Sequence, residues 1–301
     1  MHEYRLTPTA PFSFELTASL LSPGSSDHID VFDGKRYTRL LDLDSRMRLA
    51  LVSSLGSEQR PELIITLMNG SEHDERPISR VLSRMLGMDY DLGPFYEMCR
   101  DDQQLYGLSR DHYGLKPVQR LWPFEALALT IAAAGQGVHF LRATLSPIAE
   151  AYSYSVAYAG HTFCSFPSPE TIVERKVKEL TRTPVDGTQA TFLRGLAERV
   201  KQGDVDLKGL HRRPTDELLE TFSEIPGVGN LGAQLAALYG YGRLECFPVD
   251  DPLLQRWVSL NAHETDKVDV AAVSSWAERW GDLRGLVALY IYAELLKSGG
   301  L

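Results

Sequence analysis

The stretch SEIPGVGNLGAQLAALYGYGRLECFPVDDPLLQRW, residues 223–257, sets a glycine turn and an aspartate pair about twenty residues apart. Just before it, Leu218, Leu219, Phe222 and Ile225 recur at helical spacing and make one apolar stripe. Gly227 and Gly229, inside Pro226-Gly227-Val228-Gly229, let the backbone turn tightly and come close to another surface. A second helix is predicted to follow, with Asn230 as its N-cap and Gly240 or Gly242 at its end. Amides in such a turn, at a helix N-terminus, form a site for an anion such as phosphate. Pro252 suits the first turn of a third helix, which makes Asp251 the N-cap and leaves Asp250 free to point elsewhere. Read separately, the glycines fit an ordinary helix corner as well as an anion site, and an Asp-Asp-Pro triplet fits a surface helix start.

The rest of the chain narrows the choice. At 301 residues it is long enough for two domains and a large core. A hydrophobic share of 44% with 24% charged residues is ordinary for a soluble globular protein. No apolar run is long enough to span a bilayer, and the first twenty residues lack the basic-then-apolar pattern of a secretory signal. Cys99, Cys164 and Cys246 match no zinc spacing or disulfide framework and are too few for an iron–sulfur cluster, which points to a reducing cytoplasm. A net charge of −9 argues against coating nucleic acid by bulk charge, while leaving room for local contact through backbone amides.

The periodicity predicts an α+β chain: a small β-rich part, then a helical body. Alternation over 12–19, an Asp33-Gly34 hairpin signal within 31–43, and the runs 46–54 and 62–69 predict strands. From about residue 77 the pattern becomes helical and stays so, with a break near Gly135 to Gly137. Division into residues 1–110 and 111–301 follows.

Hairpin and aspartate taken together resemble the helix–hairpin–helix DNA glycosylase superfamily, and within it the AlkA-type DNA-3-methyladenine glycosylases. The similarity extends over most of the chain. PFEALALTIAAAGQG resembles the first helix of the catalytic body, AERWGDLRGLVALYIY the last, and the β-rich start the TBP-like N-terminal domain. The resemblance implies a monofunctional base-excision-repair enzyme that flips an alkylated purine, of the 3-methyladenine or 7-methylguanine type, out of double-stranded DNA and hydrolyses its N-glycosidic bond. It implies that Asp250, in its Pro-x-Asp setting, serves the chemistry. It assigns DNA contact to Pro226, Gly227, Val228, Gly229, Gln136 and Gly137, and the base pocket to Trp280, Tyr239 and Trp122, with Trp257 a further aromatic. No cofactor is implied beyond a monovalent cation at the hairpin backbone of Gly227 and Gly229. A cytoplasmic monomer without membrane contact is expected.

The chemistry suits these residue types. Cleavage of the bond to the base builds positive charge on the sugar, which a carboxylate about 4 Å away stabilises by about 4 kcal/mol at an effective dielectric near 20. A cationic alkylated base is attracted to aromatic faces.

The chain also departs from the family's pattern. Where strand-cutting members carry a Schiff-base lysine, it has Leu231, so lyase activity is not expected. Where a bulky side chain usually fills the gap left by the flipped base it has Gly137, with Val138, His139 or Phe140 as substitutes. Asp282 replaces a usual proline, while Arg284 is retained. A glycosylase for a deaminated or oxidised base, or a non-catalytic damage-binding protein of the same fold, are the alternatives.

Overall fold

The computed structural model describes every residue except 23, 25, 26, 44, 45, 135–138, 183, 184, 263–267, 300 and 301. Five strands near the N-terminus, β1 (His2–Leu6), β2 (Asp30–Phe32), β3 (Arg36–Leu43), β4 (Arg46–Ser54) and β5 (Leu63–Met68), form an antiparallel sheet in the order β1-β5-β4-β3-β2. The predicted Asp33-Gly34 turn joins β2 to β3, with Gly34 at φ +90° and Asp33 Oδ1 accepting the amides of Lys35 and Arg36 at 2.9 and 2.7 Å. The strand expected over 12–19 is instead a helix, α1 (Phe14–Ser19). Its apolar residues look alternating in sequence, but Phe14, Thr17 and Ala18 are the ones buried, which is helical spacing.

Both faces of the sheet are covered. Tyr37, Leu41, Ala50, Val52, Leu63, Ile65 and Leu67 face the helical body. Leu40, Leu49 and Leu51 face the other way and pack on Phe163. That residue belongs to a second hairpin, β6 (Ser155–Tyr158) and β7 (His161–Cys164), within a stretch whose sequence pattern is almost wholly helical. The signal was present: an alternating Ser-Val-Ala-Tyr run before Ala159-Gly160, both at positive φ, as a tight hairpin turn needs.

Three helices follow the sheet: α2 (Glu72–Met85), α3 (Gly93–Arg100) and α4 (Gln103–Asp111). The central helix α5 (Pro123–Ala133) is apolar and buried from Phe124 to Ala132 on all sides. Then come α6 (Ser146–Tyr152), α7 (Pro169–Val173), α8 (Val177–Leu180), α9 (Gly187–Gln202), α10 (Leu207–Leu210), α11 (Thr215–Ser223) and α12 (Gly229–Tyr241). The chain ends with α13 (Pro252–Ala262), α14 (Val270–Glu278) and α15 (Arg284–Lys297). α12 lies along both α5 and α11. One buried core runs from the inner face of the sheet through α5 and α12 to α15, so residues on both sides of 110/111 share it. No helix among the described residues is long and apolar enough to cross a membrane.

A charged cluster joins the sheet to the body. Arg39 occupies an inward position between Tyr37 and Leu41 and is fully buried. Its guanidinium pairs with Asp30 on β2 and with Glu125 on α5. Arg120, equally buried, donates to Asp30 Oδ2 at 3.1 Å and to the Leu21 carbonyl at 2.7 Å. Burial alone would raise the Asp30 carboxyl, but Arg39 and Arg120 hold it below the usual carboxylate value. Burial wins at Glu125, whose carboxyl is raised despite Arg39. Such a cluster fixes how the sheet docks on α5, because any other docking would strand buried charge.

The three cysteines are free and buried, on α3, on β7 and just before the Pro248 turn. Burial pushes the Cys99 and Cys246 thiols up to about 12 and the Cys164 thiol up to about 11.

Candidate active site

The hairpin between α11 and α12 forms as the sequence predicts, with one correction. Gly227 (φ +86°) and Gly229 (φ +61°) adopt the left-handed conformation that glycine favours. Asn230 is not the N-cap: α12 begins at Gly229, Val228 precedes it, and no side chain caps the helix. Early in α12, backbone amides therefore have no intrahelical acceptor, as an anion site at a helix start requires. The Phe192 ring of α9 backs the turn so closely that a Cβ at Gly227 would lie 2.6 Å from it. From the same helix Gln189 Nε2 donates to the Ala134 carbonyl at 2.5 Å, which brings the C-terminal end of α5 to the hairpin. Gln136 and Gly137, assigned to the DNA contact, and Val138 lie outside the described residues.

A Cβ at Gly229 would meet no atom within 4 Å. Gly229→Asp therefore adds a negative charge without disturbing the core, and Asp tolerates the left-handed conformation better than most residues. A like charge beside a bound phosphate costs about 1–4 kcal/mol. DNA affinity should fall about ten- to a hundredfold, equally for damaged and undamaged duplex, in fluorescence-anisotropy titrations at fixed salt.

α12 connects the hairpin to the aspartates. Gln234 on that helix accepts the Val249 amide at 3.3 Å, and Gln255 on α13 donates to the Val249 carbonyl at 2.8 Å. The two aspartates in this clamped turn differ sharply. Asp250 is half-buried, and among the described residues its side chain has no hydrogen-bond partner. Asp251 is 1% exposed and caps α13, as expected, with Oδ1 accepting the Leu253 amide at 2.8 Å. Its Oδ2 also accepts from the Tyr292 hydroxyl at 2.7 Å and meets His139 Nε2 at 2.8 Å. Burial would raise this carboxyl, but the bond from His139, the pull of that ring when charged, and the bonds from Tyr292 and the Leu253 amide more than offset it and hold it below the usual range. The result is a buried carboxylate anchored in its charged form.

Around it stand aromatic rings. His139, 13% exposed in its side chain, lies 4.9 Å from the Tyr292 ring. Phe140 follows His139 and packs 4.8 Å from Tyr239 on α12. Tyr239 is near enough for the Asp251 charge to raise its hydroxyl further, after burial has done most of that. It is fully enclosed, however, so it forms the floor of the site and no open pocket wall.

Trp280 and Trp257 belong to a separate aromatic cluster, where Trp280 lines a cavity of about 400 Å³. The Trp280 indole N–H donates to Asp102 at 3.2 Å, and its ring packs on Trp276 and Phe247 beneath the Arg279 guanidinium. Trp257 packs on Trp276 in the same cluster. Trp122 stands at the start of α5, roughly 16 Å along the helix from the end that meets the hairpin. Tyr292 was overlooked in the sequence although it closes the quoted stretch ALYIY. His139 was weighed only as a filler of the base stack.

No family model matches the chain. It is 21% identical to a DNA-3-methyladenine glycosylase of Bacillus subtilis over 293 residues, 95% of this chain and 96% of the relative. A 3-methyladenine DNA-glycosylase from Archaeoglobus fulgidus superposes with a TM-score of 0.83 at 20% identity, covering 97% of this chain and 99% of that one. An 8-oxoguanine glycosylase/lyase of Clostridium acetobutylicum, in complex with double-stranded DNA, superposes with a TM-score of 0.78 at 17% identity over 99% of both chains. This is the helix–hairpin–helix DNA glycosylase fold.

In this glycosylase fold a cleft of about 420 Å³ opens between the N-terminal part and the helical body. Glu15, Leu16 and Phe32 line one side; Arg142, Leu296 and Lys297 line the other. Arg142 ends the short turn that starts after His139, and Ala293, also in the cleft, follows Tyr292. The two segments that anchor Asp251 thus also build a cleft large enough for a nucleobase. Among the described residues no three His, Cys, Asp or Glu side chains converge to hold a metal ion.

Proposed function

We propose that the chain is a monofunctional DNA glycosylase that releases damaged purines from duplex DNA. The carrying observation is Asp251: a fully buried carboxylate, held ionised by three donors, on a helix tied through Gln234 to the helix that follows the glycine hairpin. We assign it the role that the sequence reading gave to Asp250, whose half-buried side chain has no hydrogen-bond partner among the described residues. As the bond from sugar to base breaks, its electron pair leaves with the base and the sugar becomes cationic. Asp251 stabilises that charge, and water then adds to the anomeric carbon and gives up its proton to solvent. A carboxylate whose proton affinity is depressed acts mainly through its field, and less as a proton acceptor. Leu231 on the first turn of α12 has no amine for a Schiff base, which supports hydrolysis without strand cleavage.

The preferred substrates are alkylated purines, whose positive charge suits a site built around a carboxylate. Arg142 and Lys297 in the cleft favour a second reading, a neutral oxidised or deaminated base with carbonyl acceptors. Both are tested by incubating the protein with duplexes containing 7-methylguanine, 8-oxoguanine or hypoxanthine, and measuring free base and strand breaks separately. The expected result is release of 7-methylguanine that leaves intact abasic strands. Release of 8-oxoguanine alone establishes the second reading, strand breaks without heat or alkali overturn the monofunctional one, and no release from any duplex overturns both.

A further inference from the structure

The contacts of His139 define more than its proximity to Asp251. Its Nδ1 accepts the Leu141 amide at 3.3 Å, so that nitrogen carries a lone pair and no proton. The proton of the neutral ring then sits on Nε2, 2.8 Å from Asp251 Oδ2, and donates to it. This differs from a hydrolase triad, where the imidazole keeps one nitrogen open to take a proton from a nucleophile. Here both nitrogens are occupied, so the ring is not available as a base. The groups facing it are Asp251 at the start of α13 and Tyr292 on α15, with Tyr239 of α12 behind them. Among these groups His139 is the one that can acquire positive charge.

We propose that His139 is a positioning residue that turns Asp251 toward the reacting sugar as the neutral Nε2–H tautomer, and that its protonation silences the site by cancelling the aspartate's charge at contact distance. Protonation also sets an Nδ1–H against the Leu141 N–H and breaks the bond that holds the ring. Excision then falls on the acid side. This rests on the glycosylase reading for its kinetic half only.

Two measurements test it. Single-turnover excision is followed from pH 5 to 8 for the natural protein, for His139→Gln, which keeps a donor but cannot gain charge, and for His139→Ala. The natural protein should lose about tenfold per pH unit on its acid limb. His139→Gln should be about three- to tenfold slower at pH 7.5 with the acid limb flattened. His139→Ala should be about a hundredfold slower at pH 7.5, with Asp251 unoriented. An acid limb in His139→Gln like that of the natural protein overturns the proposal. Independently of any substrate, long-range ¹H–¹⁵N NMR of the imidazole at pH 7.5 reads the tautomer. Protonated Nε2 with bare Nδ1 is expected, and the reverse tautomer overturns the proposal. If no lesion is excised, the glycosylase reading falls, and the NMR result still decides the state of His139.

Discussion

Asp251→Asn should lower single-turnover excision about a thousandfold while leaving DNA affinity nearly unchanged. The magnitude follows from removing one full charge about 4 Å from a developing cation, about 4 kcal/mol at an effective dielectric near 20. Asparagine still caps α13, so the fold should persist. It is nevertheless an imperfect substitute, because its amide would present a donor where His139 and Tyr292 already donate, costing about 1–3 kcal/mol of stability. The carboxylate's depressed pKa also supplies stability that is fully present above its unfolded value, near 3.9, and lost as pH falls through the folded value. The variant lacks that contribution at neutral pH. Asp250→Asn, made in parallel, should change the rate by less than about threefold. The opposite order of effects would return the catalytic role to Asp250.

The second large effect concerns stability. Arg39→Ala removes the partner that Glu125 has in the core and half of the cationic support of Asp30. Breaking a buried ion pair from one side costs about 3–5 kcal/mol, a large share of a domain's total. Urea unfolding followed by far-ultraviolet circular dichroism should show a lower midpoint with little change in slope. Arg39→Leu combined with Glu125→Leu should recover part of the loss, because a packed apolar pair replaces a stranded charge. A loss below about 1 kcal/mol in Arg39→Ala would mean that water or a rearranged side chain compensates the cluster.

What the sequence made legible was local and periodic. The glycines of the hairpin, the cap at Asp251 and the Asp33-Gly34 turn each depend on a few adjacent residues, and all three have the expected form. The layout of sheet followed by helices was equally readable, since its signals repeat along each segment. The catalytic geometry was less so, because Asp250 and Asp251 are neighbours in sequence and both fit a helix start. Only long-range contacts distinguish them: His139 lies 112 residues away and Tyr292 lies 41. The aromatic assignments depend on long-range contacts in the same way. Tryptophan content identifies a good stacking residue but not which cluster it joins, and Trp280 joins Trp276 and Asp102. The hairpin of β6 and β7 escaped notice because four-residue strands carry little periodic signal against a helical background.

The buried cysteines have a consequence for the environment in which such a protein would work. Agents that methylate purines also attack sulfur, and they do so through the thiolate. With all three thiols enclosed and their ionisation pushed several pH units above neutrality, the native chain offers such reagents no reactive thiolate. Its cysteines are therefore poor competitors with DNA for the electrophile. For the proposed alkylpurine activity, these thiols then stay intact through the chemical exposure that creates the substrates.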